Sequence, residues 1–293
     1  MSANVGPNIS LVTIAPAKLN LFLHIIGRRK DGYHLLQSAF TLIDQADTLQ
    51  FACRSDGQIR LASELVGVAE ADDLVVRAAK LLQRETGTVK GCQISVKKLI
   101  PMGGGLGGGS SDAATTLLAL NEFWQLALSR ERLAALALSL GADVPFFLFG
   151  QSAFAEGIGE KLTAISLPAW WYVVLTPPVG VPTPGVFASP ELTRNTIPLK
   201  IADFSAMRLA DYHNDLQPVV LKAFPAVAQY FEALQFASAK SIFGARMTGS
   251  GASVFAAFES AVDARDVFTE LSPKYQGFVA RGLDRHPWQQ VAV

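Results

Sequence analysis

Two cysteines in 293 residues, Cys53 and Cys92, are too few for a disulfide framework, and neither sits in a metal-binding pattern. Charge is sparse as well. Asp, Glu, Lys and Arg make up 17% of the chain, and 25 basic residues against 25 acidic ones leave a formal net charge of zero. Such a balance offers no electrostatic footprint for nucleic acid or an anionic membrane, so any anion-binding site has to be local. The N-terminus lacks a basic region followed by an apolar core, which argues against a signal peptide and for a cytoplasmic protein. A membrane span is missing too. The one long uncharged stretch, Thr163 to Pro190, is interrupted by Pro168, Pro177, Pro178, Pro182 and Pro184, a spacing that breaks helices. It reads as a strand, Trp171 to Thr176, followed by an extended proline-rich loop.

What is present is apolar mass. Half of the residues are hydrophobic, which predicts a well-buried globular protein, and the length suits two domains with a site between them. From Ile9 to Ile26 the pattern predicts two strand segments joined by a bend at Pro16, with Ala17-Lys18-Leu19-Asn20 at the bend. Leu35 to Leu42, Thr48 to Phe51 and Gln58 to Ala62 read as further strands. Asp73 to Arg84 has the spacing of an amphipathic helix packed on a sheet. Two more helices follow, the second running from a Ser129 N-cap to a Gly141 terminator. Beyond a turn at Gly157-Ile158-Gly159 the mixed character repeats: a helical stretch within Lys222 to Ala237, a strand over Ala252 to Phe258, a helix over Asp263 to Leu271 and a last strand at Phe278 to Arg281. The expected class is α+β, with domains at residues 1–160 and 161–293.

The most informative segment is Pro101 to Asp112, where Gly103, Gly104, Gly105, Gly107, Gly108 and Gly109 precede Ser110, Ser111 and a strongly helical run, Ala113 to Leu120. Six glycines in seven residues give up backbone entropy of roughly 0.5–1 kcal/mol each, a cost that a loop with no ligand has no reason to carry. Glycines let the backbone take positive φ and let an anion approach the amides, and the free N–H groups of a helix start attract it. The segment reads as a phosphate cradle. It is not a Walker loop, because Ser110 stands where the lysine belongs. Gly103-x-Gly105-x-x-Gly108 also satisfies a dinucleotide fingerprint, with Glu122 at the expected distance. That motif wants its acid at the end of a second strand, however, and Glu122 lies inside a helical pattern. A dinucleotide-dependent oxidoreductase is therefore the competing class.

Taken with Pro16-Ala17-Lys18-Leu19-Asn20-Leu21, Asp31-Gly32-Tyr33-His34, Gly141-Ala142-Asp143-Val144-Pro145 and Gly249-Ser250-Gly251, the loop resembles the GHMP kinase superfamily over nearly the whole chain. Asp31-Gly32-Tyr33-His34, with the lysine and asparagine upstream, narrows the likeness to the branch acting on 4-diphosphocytidyl-2-C-methyl-D-erythritol. The resemblance implies a ribosomal S5-like N-terminal domain and a ferredoxin-like C-terminal domain. It implies transfer of the γ-phosphoryl group of ATP, with Mg²⁺, to the 2-hydroxyl of that small molecule in non-mevalonate isoprenoid synthesis.

It also implies roles. Asp143 would accept the hydroxyl proton, although on sequence alone it serves as well as a cap for Val144-Pro145-Phe146. Lys18 would keep that carboxylate ionised and polarise the hydroxyl; a lone lysine is otherwise a solvated charge. Asn20 would orient the substrate. Tyr33 and His34 resemble a cytosine-binding pair, with Phe187 as the opposite face; alone, they are ordinary hairpin packing. Pro101, Met102 and Gly103 through Ser111 would wrap the ATP phosphates, with Ser110 or Ser111 close to Mg²⁺. Gly249, Ser250 and Gly251 would approach the substrate from the second domain. No Asp/His/Glu cluster looks like a protein-built metal cage, so the metal is expected to arrive with ATP. His24, His213 and His286 read as structural. Asp73 stands where similar enzymes have an asparagine close to the adenine.

Overall fold

The computed structural model describes residues 10–63 and 67–290. It opens with two strands far longer than the usual five or six residues: β1 (Ser10–Arg28) and β2 (His34–Arg54), paired antiparallel along their length. The sequence predicts each of them in two pieces, and each is continuous. Pro16 turns its backbone polar groups away from β2, its carbonyl accepting the Ser111 hydroxyl at 2.6 Å, so its missing N–H costs no ladder bond. Asp44 and Gln45 are absorbed as a bulge opposite the Pro16/Ala17 step. Ile9, where the first segment was expected to start, lies outside the described residues.

Beyond β2 come β3 (Ile59–Leu61), α1 (Leu74–Thr86) and β4 (Gly91–Lys97). Asp73 caps α1, its Oδ1 accepting from the Val75 and Val76 amides at 2.8 and 3.4 Å, and Gly87 ends the helix at φ 69°. The glycine loop leads into α2 (Gly108–Phe123), which starts earlier than the apolar run predicts. Residues 111 to 120 of α2 are all buried, as a helix enclosed by the sheet, by α1 and by α4 must be. α3 (Arg130–Leu138) is capped by Ser129, whose hydroxyl accepts from the Arg132 amide. The short apolar stretch that follows is a helix, α4 (Val144–Phe149), set up by Pro145 in its first turn.

The rest of the chain supplies β5 (Ala153–Glu156), β6 (Lys161–Ala164), β7 (Trp171–Leu175), α5 (Thr183–Ala188), α6 (Gln217–Ala223), α7 (Pro225–Ala237), β8 (Arg246–Met247), β9 (Val254–Phe258), α8 (Ala261–Leu271) and β10 (Gly277–Leu283). Two expectations need correction. The proline-rich segment is not extended throughout, because Pro184 sits in the first turn of α5, where a missing N–H is harmless. Gly141 does not end α3, which stops at Leu138 with Ser139 as its C-cap, whereas the helical stretch expected within Lys222 to Ala237 is present as α7, with α6 a separate helix before it. Phe224, immediately before Pro225, is pushed to φ −126°, ψ 87°, as the proline ring requires of its neighbour.

The strands order as β3-β4-β2-β10-β7-β9-β8. One edge of β2 belongs to β1, while the other is shared in succession by β5 at Ser38–Phe40, β10 at Leu42 and Ile43, and β4 at Thr48–Arg54. β10 pairs β2 through Gly282 and Leu283 and β7 through Gly277–Arg281. This one strand joins the first half of the sheet to the second. A core under α1, α2 and α4 and another under α6, α7 and α8 flank the seam, and a third, centred on Phe22, Phe154, Tyr172 and Phe255, lies along it. The α+β class expected from the sequence stands.

Candidate active site

Within the glycine loop Gly103, Gly105 and Gly107 take positive φ, at 70°, 75° and 72°, while the residues between them do not. Two of these positions admit no side chain. A Cβ on Gly105 would lie 2.4 Å from the Thr248 carbonyl oxygen, and one on Gly107 would lie 2.9 Å from Phe147 and 3.1 Å from Cγ of Lys18. The loop's carbonyls are spent on the protein: Gly104 accepts from the Ser253 amide, Leu106 from the Lys18 amide and Gly107 from the Ser111 amide, at 2.8–3.1 Å. Among the described residues, the amides of Gly103 to Ser110 donate to nothing. Unspent amides on a loop of alternating φ sign, at the start of a 16-residue helix, make a nest for an anion.

A cavity of about 350 Å³ opens on this nest, lined by Pro101, Met102, the glycines and Ser110 on one side and by Asp73 and Lys98 on the other. Ser111 does not face it. That side chain is fully buried and its hydroxyl donates to Pro16, which leaves Ser110 as the hydroxyl at the cradle. Sequence reasoning missed Lys98. Its ammonium is held between Asp47 and Asp112, the latter at 2.6 Å. Asp47 is fully buried and also accepts from the Leu99 and Ile100 amides. Burial works to depress the Lys98 ammonium, but the two carboxylates outweigh it and raise it. Burial pushes the Asp112 carboxyl up to about 7, against the pull of Lys98 and with help from Asp47. The only signal in the sequence is a lysine pair running into an apolar turn.

A second cavity of about 400 Å³ shares Gly103, Gly105, Gly107 and Ser110 with the first, and its other walls carry Lys18, Asn20, Asp143 and the turn Gly249-Ser250-Gly251. Lys18 and Asp143 come from elements 125 residues apart, yet Nζ and Oδ2 are 3.4 Å apart. Lys18 is almost wholly buried, whereas 38% of the Asp143 side chain remains exposed. Asp143 stands at the N-cap position of α4 with αR dihedrals, and its side chain makes no capping bond. The cap alternative therefore falls away, and the carboxylate is free to face the cavity.

Lys18 is fixed from three sides. Nζ donates to Oδ1 of Asn20 at 2.5 Å and lies 5.2 Å from the Phe40 ring centre, a cation–π contact. Asn20 is buried in turn, its amide nitrogen donating to Ser38 at 3.0 Å and its backbone N–H to the Thr248 hydroxyl at 3.0 Å. Thr248 immediately precedes the second glycine turn, so this chain of bonds couples that turn to Lys18. Asn214 fastens the same turn, its side chain donating to the carbonyls of Met247 and Gly249 at 2.8 Å each. The Thr183 and Ser250 hydroxyls, 2.6 Å apart, tie it to α5.

Phe187, Thr183, Leu36, Ala142 and Ile158 also line a third cavity of about 580 Å³, whose outer walls are Tyr33 and His34. The His34 and Phe187 rings sit 5.1 Å apart, inclined at 34°. Tyr33 is 60% exposed and packs into no core. Burial, then the nearby guanidinium groups of Arg194 and Arg28, hold the His34 imidazole below its ordinary value. Three cavities thus run in sequence. The first and second share the anion nest, the second and third share Phe187, and Lys18 and Asp143 stand in the middle one.

His24 and His286 are buried, and burial depresses each to about 4. Neither lines the three cavities. Among the described residues no three His, Cys, Asp or Glu side chains gather as a metal-holding group.

Comparison with known proteins agrees with this geometry. The model of the GHMP kinases N-terminal domain matches residues 73–151, and that of the GHMP kinases C-terminal domain matches residues 200–276. A 4-diphosphocytidyl-2-C-methyl-D-erythritol kinase of Nitrosospira multiformis is 58% identical over 294 residues, covering 99% of this chain and 97% of its own. One of Thiobacillus denitrificans is 60% identical over 274 residues, with 93% and 95% covered. A crystal structure of 4-(cytidine 5'-diphospho)-2C-methyl-D-erythritol kinase superposes with a TM-score of 0.80 at 34% identity, covering 93% of this chain and 99% of that one. Homoserine kinase from Cytophaga hutchinsonii, at 16% identity and a TM-score of 0.70, shares the fold. With the nest, the paired lysine and aspartate and the aromatic cavity in one path, and with relatives this similar over their whole length, the chain belongs to the GHMP kinases, in the branch of the 4-diphosphocytidyl-2-C-methyl-D-erythritol kinases.

Proposed function

We propose that this protein transfers the γ-phosphoryl group of ATP to the 2-hydroxyl of 4-diphosphocytidyl-2-C-methyl-D-erythritol, with the nucleotide in the first cavity, the reacting groups in the second and the cytosine in the third. The observation that carries the assignment is the continuity of the three cavities, with Lys18 and Asp143 between an anion nest and an aromatic pocket. Phosphoryl transfer asks the protein mostly for positioning and charge stabilisation. The unspent amides of Gly103 to Ser110 hold the phosphate oxygens. Lys18, buried, fixed by Asn20 and 3.4 Å from Asp143, draws negative charge off the substrate oxygen. Asp143 takes the hydroxyl proton as that oxygen bonds to the γ-phosphorus; the bond from the γ-phosphorus to the β–γ bridging oxygen breaks, and ADP leaves.

ATP fits the nest because the amides there have no acceptors of their own. Mg²⁺ fits as a companion of the nucleotide, with the Ser110 hydroxyl as an oxygen ligand from this chain, since that residue lines both the first and second cavities. When bound, the metal neutralises charge on the phosphates. Asn20 acts through Lys18, while Tyr33, His34 and Phe187 hold the base, and Gly249, Ser250 and Gly251 close the central cavity from the second domain. On this reading the domains divide near residue 160. No helix among the described residues is long and apolar enough to cross a membrane, and two free thiols suit a reducing cytoplasm.

The test is ATP-dependent phosphorylation of this substrate with Mg²⁺, run beside mevalonate and homoserine and read by product mass. Product from the cytidyl compound alone is expected. Product from mevalonate or homoserine instead would overturn the substrate, and product from none would overturn the kinase.

A further inference from the structure

Arg194 lies outside every motif in the sequence, in the polar run between α5 and α6. Its guanidinium is fully committed to one place. Nη1 donates to the Leu192 carbonyl at 3.0 Å, and Nη2 donates to the carbonyls of Phe187 and Ser189 at 3.0 and 2.7 Å. The remaining edge is turned outward, and Nε donates to Nε2 of His34 at 3.1 Å. An arginine has five donors and no acceptor. Nε2 of His34 must therefore offer its lone pair, and a neutral imidazole accepting at Nε2 carries its proton on Nδ1. Among the described residues Nδ1 has no partner, and His34 lines the third cavity beside Tyr33 and Phe187. The same guanidinium that sets the tautomer also holds the backbone of Phe187, the aromatic residue whose ring lies 5.1 Å from that imidazole.

A fixed ring donor has a preference among pyrimidines. N3 of cytosine is an acceptor and N3 of uracil is a donor, so an N–H in this place bonds one base and opposes the other. A donor facing a donor in a desolvated pocket loses the bond and leaves both groups unpaired. The opposite tautomer would present a lone pair and reverse the choice.

We infer that Arg194 is a specificity-determining positioning residue: by holding His34 in the Nδ1–H form it makes the pocket select cytosine over uracil. The inference rests on the third cavity being the base pocket, as proposed above. It does not require Arg194 to touch the substrate.

Two measurements test it. In ¹⁵N-labelled enzyme, long-range ¹H–¹⁵N spectra should give His34 a protonated, pyrrole-type Nδ1 and a pyridine-type Nε2; the reverse assignment overturns the inference without any variant. For activity, kcat/KM is measured with the cytidyl substrate and with its uridyl counterpart. The unaltered enzyme should favour cytidyl by at least about a hundredfold. In Arg194→Met that ratio should fall at least tenfold, mostly through KM, and the His34 signals should show both tautomers. A variant that turns over with the parent ratio overturns the inference alone. If the unaltered enzyme turns over neither compound, the substrate assignment fails and takes this inference with it.

Discussion

Removing the charge of Asp143 separates catalysis from folding. In Asp143→Asn the side chain keeps its size but loses the group proposed to take the proton. A positioned general base contributes about 10²–10⁴ in rate, or roughly 3–5 kcal/mol of barrier. The effect on stability is set by what the carboxylate does in the folded chain. It caps nothing in α4, it is 38% exposed, and among the described residues its one close charged partner is Lys18 at 3.4 Å. Pairs with an exposed member contribute about 0–1 kcal/mol, which for a chain of this size moves Tm by about 2–4 °C at most. The expected outcome is a kcat at least a hundredfold lower, KM values for ATP and acceptor changed no more than a few-fold, and a melting temperature within about 4 °C of the parent. Steady-state kinetics beside a thermal melt would read both. A kcat within tenfold of the parent would refute the role of Asp143, and a large fall in Tm would mean that the carboxylate is structural after all. Lys18→Met should lose activity comparably, but it also strips the Asn20 carbonyl of its buried donor. A stability loss of about 1–3 kcal/mol is expected there.

Gly105→Ala places a methyl group 2.4 Å from the Thr248 carbonyl oxygen on a residue at φ +75°. The conformation alone costs roughly 1–2 kcal/mol, and the two glycine turns must separate, so KM for ATP should rise at least about tenfold in a titration of initial rates. Tyr33→Ala should raise KM for the cytidyl substrate and spare that for ATP, because Tyr33 lines the third cavity and not the first; a larger effect on ATP would reverse the assignment of the pockets. His286 is depressed from 6.5 to about 4 in the folded chain by burial, with Arg130 adding to it. Folding thus favours its neutral form. Stability present above pH 6.5 is lost as pH falls through 4, by about 3 kcal/mol once the loss is complete. Urea melts at pH 7.5, 5.5 and 4 should show less acid loss in His286→Gln than in the parent, and equal losses would exclude this histidine.

Much of the site was legible because it rests on backbone chemistry. A run of glycines before a helix has few uses, and in the structure the amides of Gly103 to Ser110 have no acceptors among the described residues. The start of α3 follows from Ser129, which caps it, but its end falls at Leu138, short of the expected Gly141. The long strands were harder to read. Pro16 looks like a break when its neighbours are unknown, and only the structure turns its backbone toward α2. Asp44 and Gln45 interrupt the alternation in β2 as a turn would, though they form a bulge. Least legible were the charges buried for one another. Lys98 with Asp47 and Asp112, or Arg194 with three carbonyls and His34, are distant in sequence and share no periodicity. Asp143 shows the same limit: its dual reading as cap or base depended on where the side chain turned.

The placement of β10 has a consequence for how the molecule comes into being. A ribosome delivers Gly277–Leu283 after every other strand of the sheet, yet β10 lies in its interior, against Leu42 and Ile43 on one side and Trp171–Leu175 on the other. Until those seven residues emerge, β2 and β7 each carry an unpaired edge, the kind of surface on which nascent chains stick to one another. The lysine and the second glycine turn belong to pieces that β10 joins within the sheet, beside the direct bond from the Asn20 amide to the Thr248 hydroxyl. Synthesis and activity are thereby ordered, and a ribosome stalled short of residue 277 holds a chain whose two halves have each been made but not yet introduced.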